Sequence, residues 1–115
     1  MERGDIFLVS LDPSVGSEQS KVRPAVIVSS NAANNAAERR GSGVITIVPV
    51  TSNIRAVFPF QVLLRSSESG LTVDSKAQAE QVRAIATERL VRRLGRVSTA
   101  RMLELDDALR LHLAL

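Results

Sequence analysis

The sequence predicts an α+β fold in which several short strands form a small, strongly bent sheet or barrel, followed by one C-terminal helix. Three observations carry this expectation. Apolar, β-branched runs recur between Asp5 and Ala86, each bounded by Gly, Pro, Ser or Asn. After Ser98 the period changes: Met102, Leu105, Leu109 and Leu113 follow at spacings of three, four and four, which is one stripe of a helix. The 115 residues contain no internal repeat, linker or low-complexity tail, so one domain spanning residues 1–115 is expected.

The elements follow in order. Asp5 to Leu11 reads as a first strand, with Phe7, Val9 and Leu11 on one face and Ile6 and Leu8 on the other. Asp12-Pro13-Ser14 is turn chemistry. Lys21 to Ser29 is the second strand, too continuously apolar for a solvent-facing edge. Ser30 to Gly43 reads as a polar connection with room for one helical turn. Val44 to Val50 is a β-branched third strand and Pro59 to Arg65 a fourth, followed by a Ser/Gly turn over 66–70. Lys76 to Ala86 alternates well enough for one or two more strands. Thr87 is placed to cap a short helix from Glu88 to Arg92, closed by Gly95, and Ser98 to cap the final helix. Leu103, Leu111 and Leu115 widen the apolar surface of that helix beyond what one small core needs, which points to a subunit contact.

Composition narrows the chemistry. Hydrophobic residues make up 44% and charged residues 23% of the chain, the balance of a soluble globular protein. Val44 to Val50 is the best apolar run, far short of a membrane span, and the charged Met1–Asp5 segment does not read as a signal peptide. With no Cys and a single His (His112), the sequence offers no disulfide, no thiolate nucleophile and no zinc cluster, and no cofactor is expected. A cytoplasmic location fits that composition. An enzyme built from this chain works with Arg, carboxylates, hydroxyls and amides. Ester or peptide hydrolysis ordinarily wants a His or a metal, whereas RNA cleavage can use the ribose 2′-hydroxyl as its nucleophile.

The isoelectric point of about 10.5 favours an anionic partner. Thirteen of the fifteen basic residues are Arg, the side chain suited to two-point phosphate recognition. Between 83 and 101, Arg83, Arg89, Arg92, Arg93, Arg96 and Arg101 stand against only Glu88. That cluster fits a solvated face and a nucleic-acid patch equally well. Arg23 is the most informative single residue. It follows the polar stretch Gly16-Ser17-Glu18-Gln19-Ser20-Lys21 and precedes Pro24, which favours an extended backbone for Arg23 at the start of a strand. A loop holding a carboxylate, an amide and hydroxyls thus delivers a permanent guanidinium to a strand end.

Five segments in order carry a resemblance. They are Arg3-Gly4-Asp5, Gly16-Ser17-Glu18-Gln19, Arg23-Pro24-Ala25-Val26, Val48-Pro49-Val50-Thr51-Ser52-Asn53 with Phe58-Pro59-Phe60, and Glu80-Gln81-Val82-Arg83. Together they resemble the MazF/PemK family of toxin endoribonucleases over nearly the whole chain. The resemblance implies a small SH3-like β-barrel of the MazF/CcdB kind with a C-terminal helix, working as a homodimer. It implies sequence-selective, metal-independent cleavage of single-stranded RNA (mRNA, rRNA or tRNA) and neutralisation by a cognate MazE-like antitoxin whose acidic tail lies in the basic groove. Arg23 aligns with the essential arginine of the family and Thr51 with its essential threonine or serine. Ser17, Glu18, Gln19, Glu80 and Gln81 align with positions lining the RNA groove, and Lys21, Ser52, Asn53, Phe58 and Arg83 join them as expected RNA-binding residues.

The chemistry of these residue types agrees. In-line attack of a 2′-hydroxyl on phosphorus builds charge on the nonbridging oxygens, which a guanidinium and a hydroxyl can stabilise. Arg stays protonated and makes a poor base, so Arg23 is assigned to charge stabilisation and proton donation to the leaving 5′-oxygen. Glu18 or Glu80 is the chemical candidate to accept the 2′-hydroxyl proton. The Kid/PemK branch uses an Arg and an Asp two residues apart, where this chain has Gln78 and Glu80; Gln78 cannot serve as an acid, which favours a mechanism centred on Arg23 and Thr51. Simpler roles stay open beside these. Thr51 can merely end a strand, Phe60 is expected in the core while Phe58 stacks on a base, and Glu80 can pair with Arg83 or Lys76. Asp74 reads as a turn residue and His112 as a surface or interface residue. A CcdB-like gyrase-binding toxin and a non-cleaving RNA-binding barrel are the alternatives that the same fold allows.

Overall fold

Strands form where β-branched residues cluster, and the computed structural model, which describes residues 1–11 and 22–115, shows seven of them. They are β1 (Asp5–Ser10), β2 (Val22–Ile27), β3 (Val44–Thr51), β4 (Gln61–Leu64), β5 (Ser75–Gln78), β6 (Arg83–Ala86) and β7 (Leu90–Arg96). Helices α1 (Asn31–Arg40), α2 (Ser66–Ser69) and α3 (Thr99–Leu113) connect or follow them. The sheet is antiparallel in the order β4-β5-β3-β2-β1-β7, with β6 also on β3. The long strand β3 is the hub. Its first half pairs with β6, its second half with β2, and its last residues Val50 and Thr51 with Ala77 and Lys76 of β5. Two register shifts between β1 and β7 add twist at that end. These pairings leave β4 and β7 at opposite ends of a bent sheet, an α+β arrangement compatible with an open barrel.

Both faces of the central strands are covered, which explains their continuous apolar sequence. Ile6, Val26, Val48 and Val50 enter one core with Leu64, Val97 and Leu105, beneath α3. Val9, Ala25, Ile27, Ile45 and Ile47 enter a second core with Ala37 of α1. Of the expected division of β1, Val9 lies in the second core with Phe7 and Leu11 packed against it and Ile6 lies in the first, whereas Leu8, expected beside Ile6, belongs to neither. Leu105 is fully buried and Met102 and Leu109 pack beside it, whereas Leu113, the end of the expected stripe, is exposed.

Several elements differ from the sequence expectation. The connection over Ser30–Gly43 is not a single turn but the ten-residue helix α1. Ser30 caps it by accepting from Ala33 N at 3.2 Å, and Gly41 closes it with φ of 76°. Asn34, fully buried, donates to Ser29 O and accepts from Ser29 Oγ, so an apparently loop-like Asn is the pin of the helix. The short helix expected over Glu88–Arg92 is absent: Thr87–Arg89 forms one 3-10 turn and Leu90–Arg96 is the strand β7. β1 offers that segment an edge, and Asp5 accepts from Arg96 and Arg93 across it. Gly95 ends no helix; a Cβ there would stand 1.9 Å from Ser69 O, so its lack of a side chain lets α2 and β7 touch. Thr87 accordingly caps no α-helix, whereas Ser98 caps α3 by accepting from Arg101 N at 3.2 Å. The fourth strand starts at Gln61 rather than Pro59, and the 66–70 turn contains the short helix α2, closed by Gly70.

The Arg3-Gly4-Asp5 segment proves to be architecture. Arg3 Nε donates to Val28 O at 2.8 Å and its guanidinium to Asp106 of α3 at 2.6 Å. Gly4, at φ of 96°, bonds Ile27 O through its N–H and accepts from Val97 N. One tripeptide therefore ties β1, β2, β7 and α3 together.

Candidate active site

β2 and β3 carry the two residues on which the sequence argument rests. Ala25 pairs with Pro49, and the same register carried two residues further sets Arg23 across from Thr51. Arg23, Pro24, Val50, Thr51 and Ser52 form one side of a cleft of about 390 Å³. Leu71, Thr72 and Val73, between α2 and β5, and Ser75, the first residue of β5, form the other. Thr51 is half-buried, and its Oγ1 accepts from Asn53 N at 3.2 Å. That bond uses a lone pair and leaves the hydroxyl proton available to a bound oxygen. Asn53 Oδ1 in turn accepts from Arg55 N, so the chain leaves β3 through two successive side-chain-closed turns. The cleft offers a guanidinium, hydroxyls and backbone, which suit an anionic phosphoryl group.

A second polar cluster lies beneath the β3–β4 connection. Gln61, buried at the start of β4, accepts from Phe58 N at 3.1 Å and donates to Glu80 Oε2 at 2.9 Å. Glu80 Oε1 is buried with no hydrogen-bond partner among the described residues. The pairing of Glu80 with Arg83 or Lys76 entertained from sequence is thus replaced by one with Gln61. Lys76 is buried as well, and its Nζ donates to Ala56 O at 2.6 Å. Phe58 and Phe60 stack with centroids 5.5 Å apart and planes 11° from parallel. Phe60 is half-buried beside Phe58 rather than a member of either core.

The structure therefore brings Arg23, Thr51 and Ser52 together and does not bring Glu80 to the lining of their cleft. Asn53 lies next to it in sequence, while Phe58, Gln81 and Arg83 sit on neighbouring elements outside that lining. Ser17, Glu18, Gln19 and Lys21 lie outside the described residues. Asp74 behaves as a turn residue, accepting from Ser66 N, a bond that with the nearby Arg65 guanidinium keeps its carboxyl below the usual range. His112 is exposed. Sequence reasoning missed the wall Leu71–Ser75 and the buried pair Gln61 and Lys76. Gly70 after a Ser-rich turn was the available signal for the wall; a lysine between apolar strand residues was the signal for the other. Among the described residues, no group of three His, Cys, Asp or Glu side chains is arranged to hold a metal ion.

Comparison with known families decides the lineage. Residues 2–113 match the family described as PemK-like, MazF-like toxin of type II toxin-antitoxin system. The chain belongs to that family. This MazF-family chain is 62% identical to Endoribonuclease MazF9 of Mycobacterium tuberculosis, over all of its own length and 98% of that protein. Its fold superposes on an endoribonuclease in complex with its cognate antitoxin from a mycobacterial species, with TM-score 0.76 and 26% identity, covering 100% of this chain and 96% of that one. It is equally similar to a MazE-MazF structure from Deinococcus radiodurans, with TM-score 0.79 and 25% identity over 100% and 96% of the two chains. The expected family and the expected MazF-like architecture both hold.

Proposed function

We propose that this chain is the endoribonuclease toxin of a type II toxin–antitoxin pair and cuts single-stranded RNA by in-line attack of a ribose 2′-hydroxyl. The observation that carries the mechanism is the convergence of Arg23 and Thr51 on one cleft in a chain of this family. Arg23 grips the scissile phosphate and stabilises charge on its nonbridging oxygens, and Thr51 Oγ1 donates to the same group. The 2′-oxygen forms a bond to phosphorus while the bond to the 5′-oxygen breaks, and that oxygen takes up a proton. The products are a 2′,3′-cyclic phosphate and a 5′-hydroxyl. Because the substrate supplies its own nucleophile, no metal-activated water is needed. Glu18 is the candidate acceptor of the 2′-hydroxyl proton, since the Glu80 carboxylate is engaged with Gln61 away from the cleft.

The similarity to antitoxin-bound relatives supports a cognate MazE-like antitoxin as partner. In this reading the toxin works as a homodimer in the cytoplasm and arrests growth until that partner neutralises it. The deciding experiment incubates purified protein with a long RNA in EDTA and maps both ends at each cut. Cleavage is expected to persist, with cyclic phosphate or 3′-phosphate and 5′-hydroxyl ends. Strict magnesium dependence or 5′-phosphate ends would overturn the mechanism. RNA bound but left intact would favour a binding module instead.

A further inference from the structure

Lys76 is the most unusual side chain that the chemistry above does not use. It is only 8% exposed, on β5 between Ser75 of the cleft and Ala77 of the core. Its register partners are Thr51 on β3 and Leu63 on β4. A lysine stem commonly lies along apolar surface while its head reaches water. Here the head reaches backbone instead: Nζ donates to Ala56 O at 2.6 Å and stands 5.9 Å from the centroid of the Phe58 ring. Burying such a group is costly unless its hydrogen bonding does something for the fold around it. The carbonyl it holds belongs to the middle of the exposed connection between β3 and β4, residues 52–60.

We infer that Lys76 is a positioning residue that fixes the β3–β4 connection, and with it Asn53 and Phe58, at the rim beside Thr51, and so governs RNA recognition rather than bond breaking. This rests on the RNA-cleaving reading above. Among the described residues, side chains from outside the connection hold it at three points: Thr51 Oγ1 at its start, Lys76 at Ala56, and Gln61 at Phe58. Only the central one hangs on a side chain that belongs to neither flanking strand. Without it, ordering of residues 54–57 rests on their own contacts, and Ile54, Arg55 and Val57 are all exposed. A half-exposed aromatic ring such as Phe58 is useful for base stacking only if its orientation is set before RNA arrives. Lys76 lines no part of the cleft itself, so it acts through the connection.

The test uses Lys76→Met, which keeps a long stem and removes the donor; replacement of a buried charge by an apolar chain of similar volume is commonly tolerated. Trypsin cleavage after Arg55 reports on the connection with no reference to activity, and is expected to accelerate roughly tenfold. On a short single-stranded RNA carrying the motif mapped from wild-type cuts, KM is expected to rise roughly tenfold, with kcat within about twofold of wild type. Lys76→Gln, whose amide can still donate, should show smaller changes in both, and serves for both readouts if the Met variant does not fold. An unchanged nicking rate in the folded variant overturns the inference whether or not RNA is cut. Faster nicking with lower kcat and unchanged KM overturns the recognition role. A wild-type protein that cuts no RNA removes the functional reading and the recognition role together, while the nicking rate still decides the anchor.

Discussion

Arg23 and Thr51 enter one cleft from opposite directions, because the antiparallel register of β2 on β3 brings the start of one strand to the end of the other. Both residues are carried on paired strands rather than on a loop. The strand hub that holds Val48 and Val50 in the core also fixes where Thr51 stands. A pair mounted this way is held in place before any ligand arrives, so a contribution to cleavage is expected in the transition state rather than in ground-state binding.

Arg23→Ala is therefore expected to slow cleavage by roughly 10² or more, and Thr51→Ala by a comparable or smaller factor. The loss should fall on kcat more than on RNA affinity. Arg23→Lys should not restore the rate, since a point charge cannot reproduce a two-point grip on phosphate. His112→Ala should leave the chemistry intact, as the side chain is exposed near the end of α3. Single-turnover kinetics on folded protein, with RNA binding measured separately, decide the matter. Wild-type cleavage by Arg23→Ala would remove the assignment.

Much of this arrangement was legible in the residues, and the exceptions have physical causes. The helix α3 announces itself through periodicity, and the strands β1 to β3 through apolar, β-branched runs, continuous in β2 and β3 because both of their faces are buried. β7 did not. Its residues Arg92, Arg93 and Arg96 look like a charged helix face, and only the edge of β1, far away in sequence, makes them a strand. α1 was hidden for the opposite reason: its Asn and Ala residues bury little, and Asn34 is held by Ser29 rather than by hydrophobic packing. The Arg23 and Thr51 halves of the cleft could be read from local motifs. The wall Leu71–Ser75 left only Gly70 as a local mark, because the segment before it packs closely on Gly95, far away in sequence.

That glycine contact makes a prediction of its own. A Cβ at Gly95 would lie 1.9 Å from Ser69 O, and one at Gly70 would lie 2.8 Å from Leu94 O on a backbone with φ of 86°. Gly95→Ala should cost about 2–3 kcal/mol in urea unfolding, by forcing α2 away from β7. Since α2 leads directly into the cleft wall, cleavage by the folded fraction should also fall. A stability and activity equal to wild type would show that the contact yields without consequence.

α3 leaves Leu103 and Leu111 exposed at 62% and 58%, and Leu115, just past its end, at 84%. One helix with that much apolar surface on a chain of 12.4 kDa is expected to be covered by a second copy at micromolar concentration. Sedimentation should return about twice the chain mass, and Leu111→Glu should shift the population toward monomer. A wild-type protein that sediments at the monomer mass would count directly against this.

Asp5 supplies a pH dependence whose sign can be worked out. Its carboxylate is nearly buried, which pushes its pKa up. The Glu2 N–H bond at 2.8 Å and the Arg93 and Arg96 guanidinium groups outweigh that effect, so the net pKa lies below that of an ordinary aspartate. A depressed carboxylate pKa means that the folded state favours the charged form. The stabilisation is thus fully present above the unfolded pKa and is lost as pH falls through the lower, folded value. Arg93 and Arg96 are half-exposed, so solvent screens the pair, and Asp5→Asn should cost only roughly 1–2 kcal/mol at neutral pH. The gap between wild type and Asp5→Asn, followed by urea unfolding at a series of pH values, should stay constant down to about pH 5 and then narrow through the region of pH 4 and below. A gap that widens on acidification, or is absent at pH 7, would mean that the β1–β7 junction does not rely on this carboxylate.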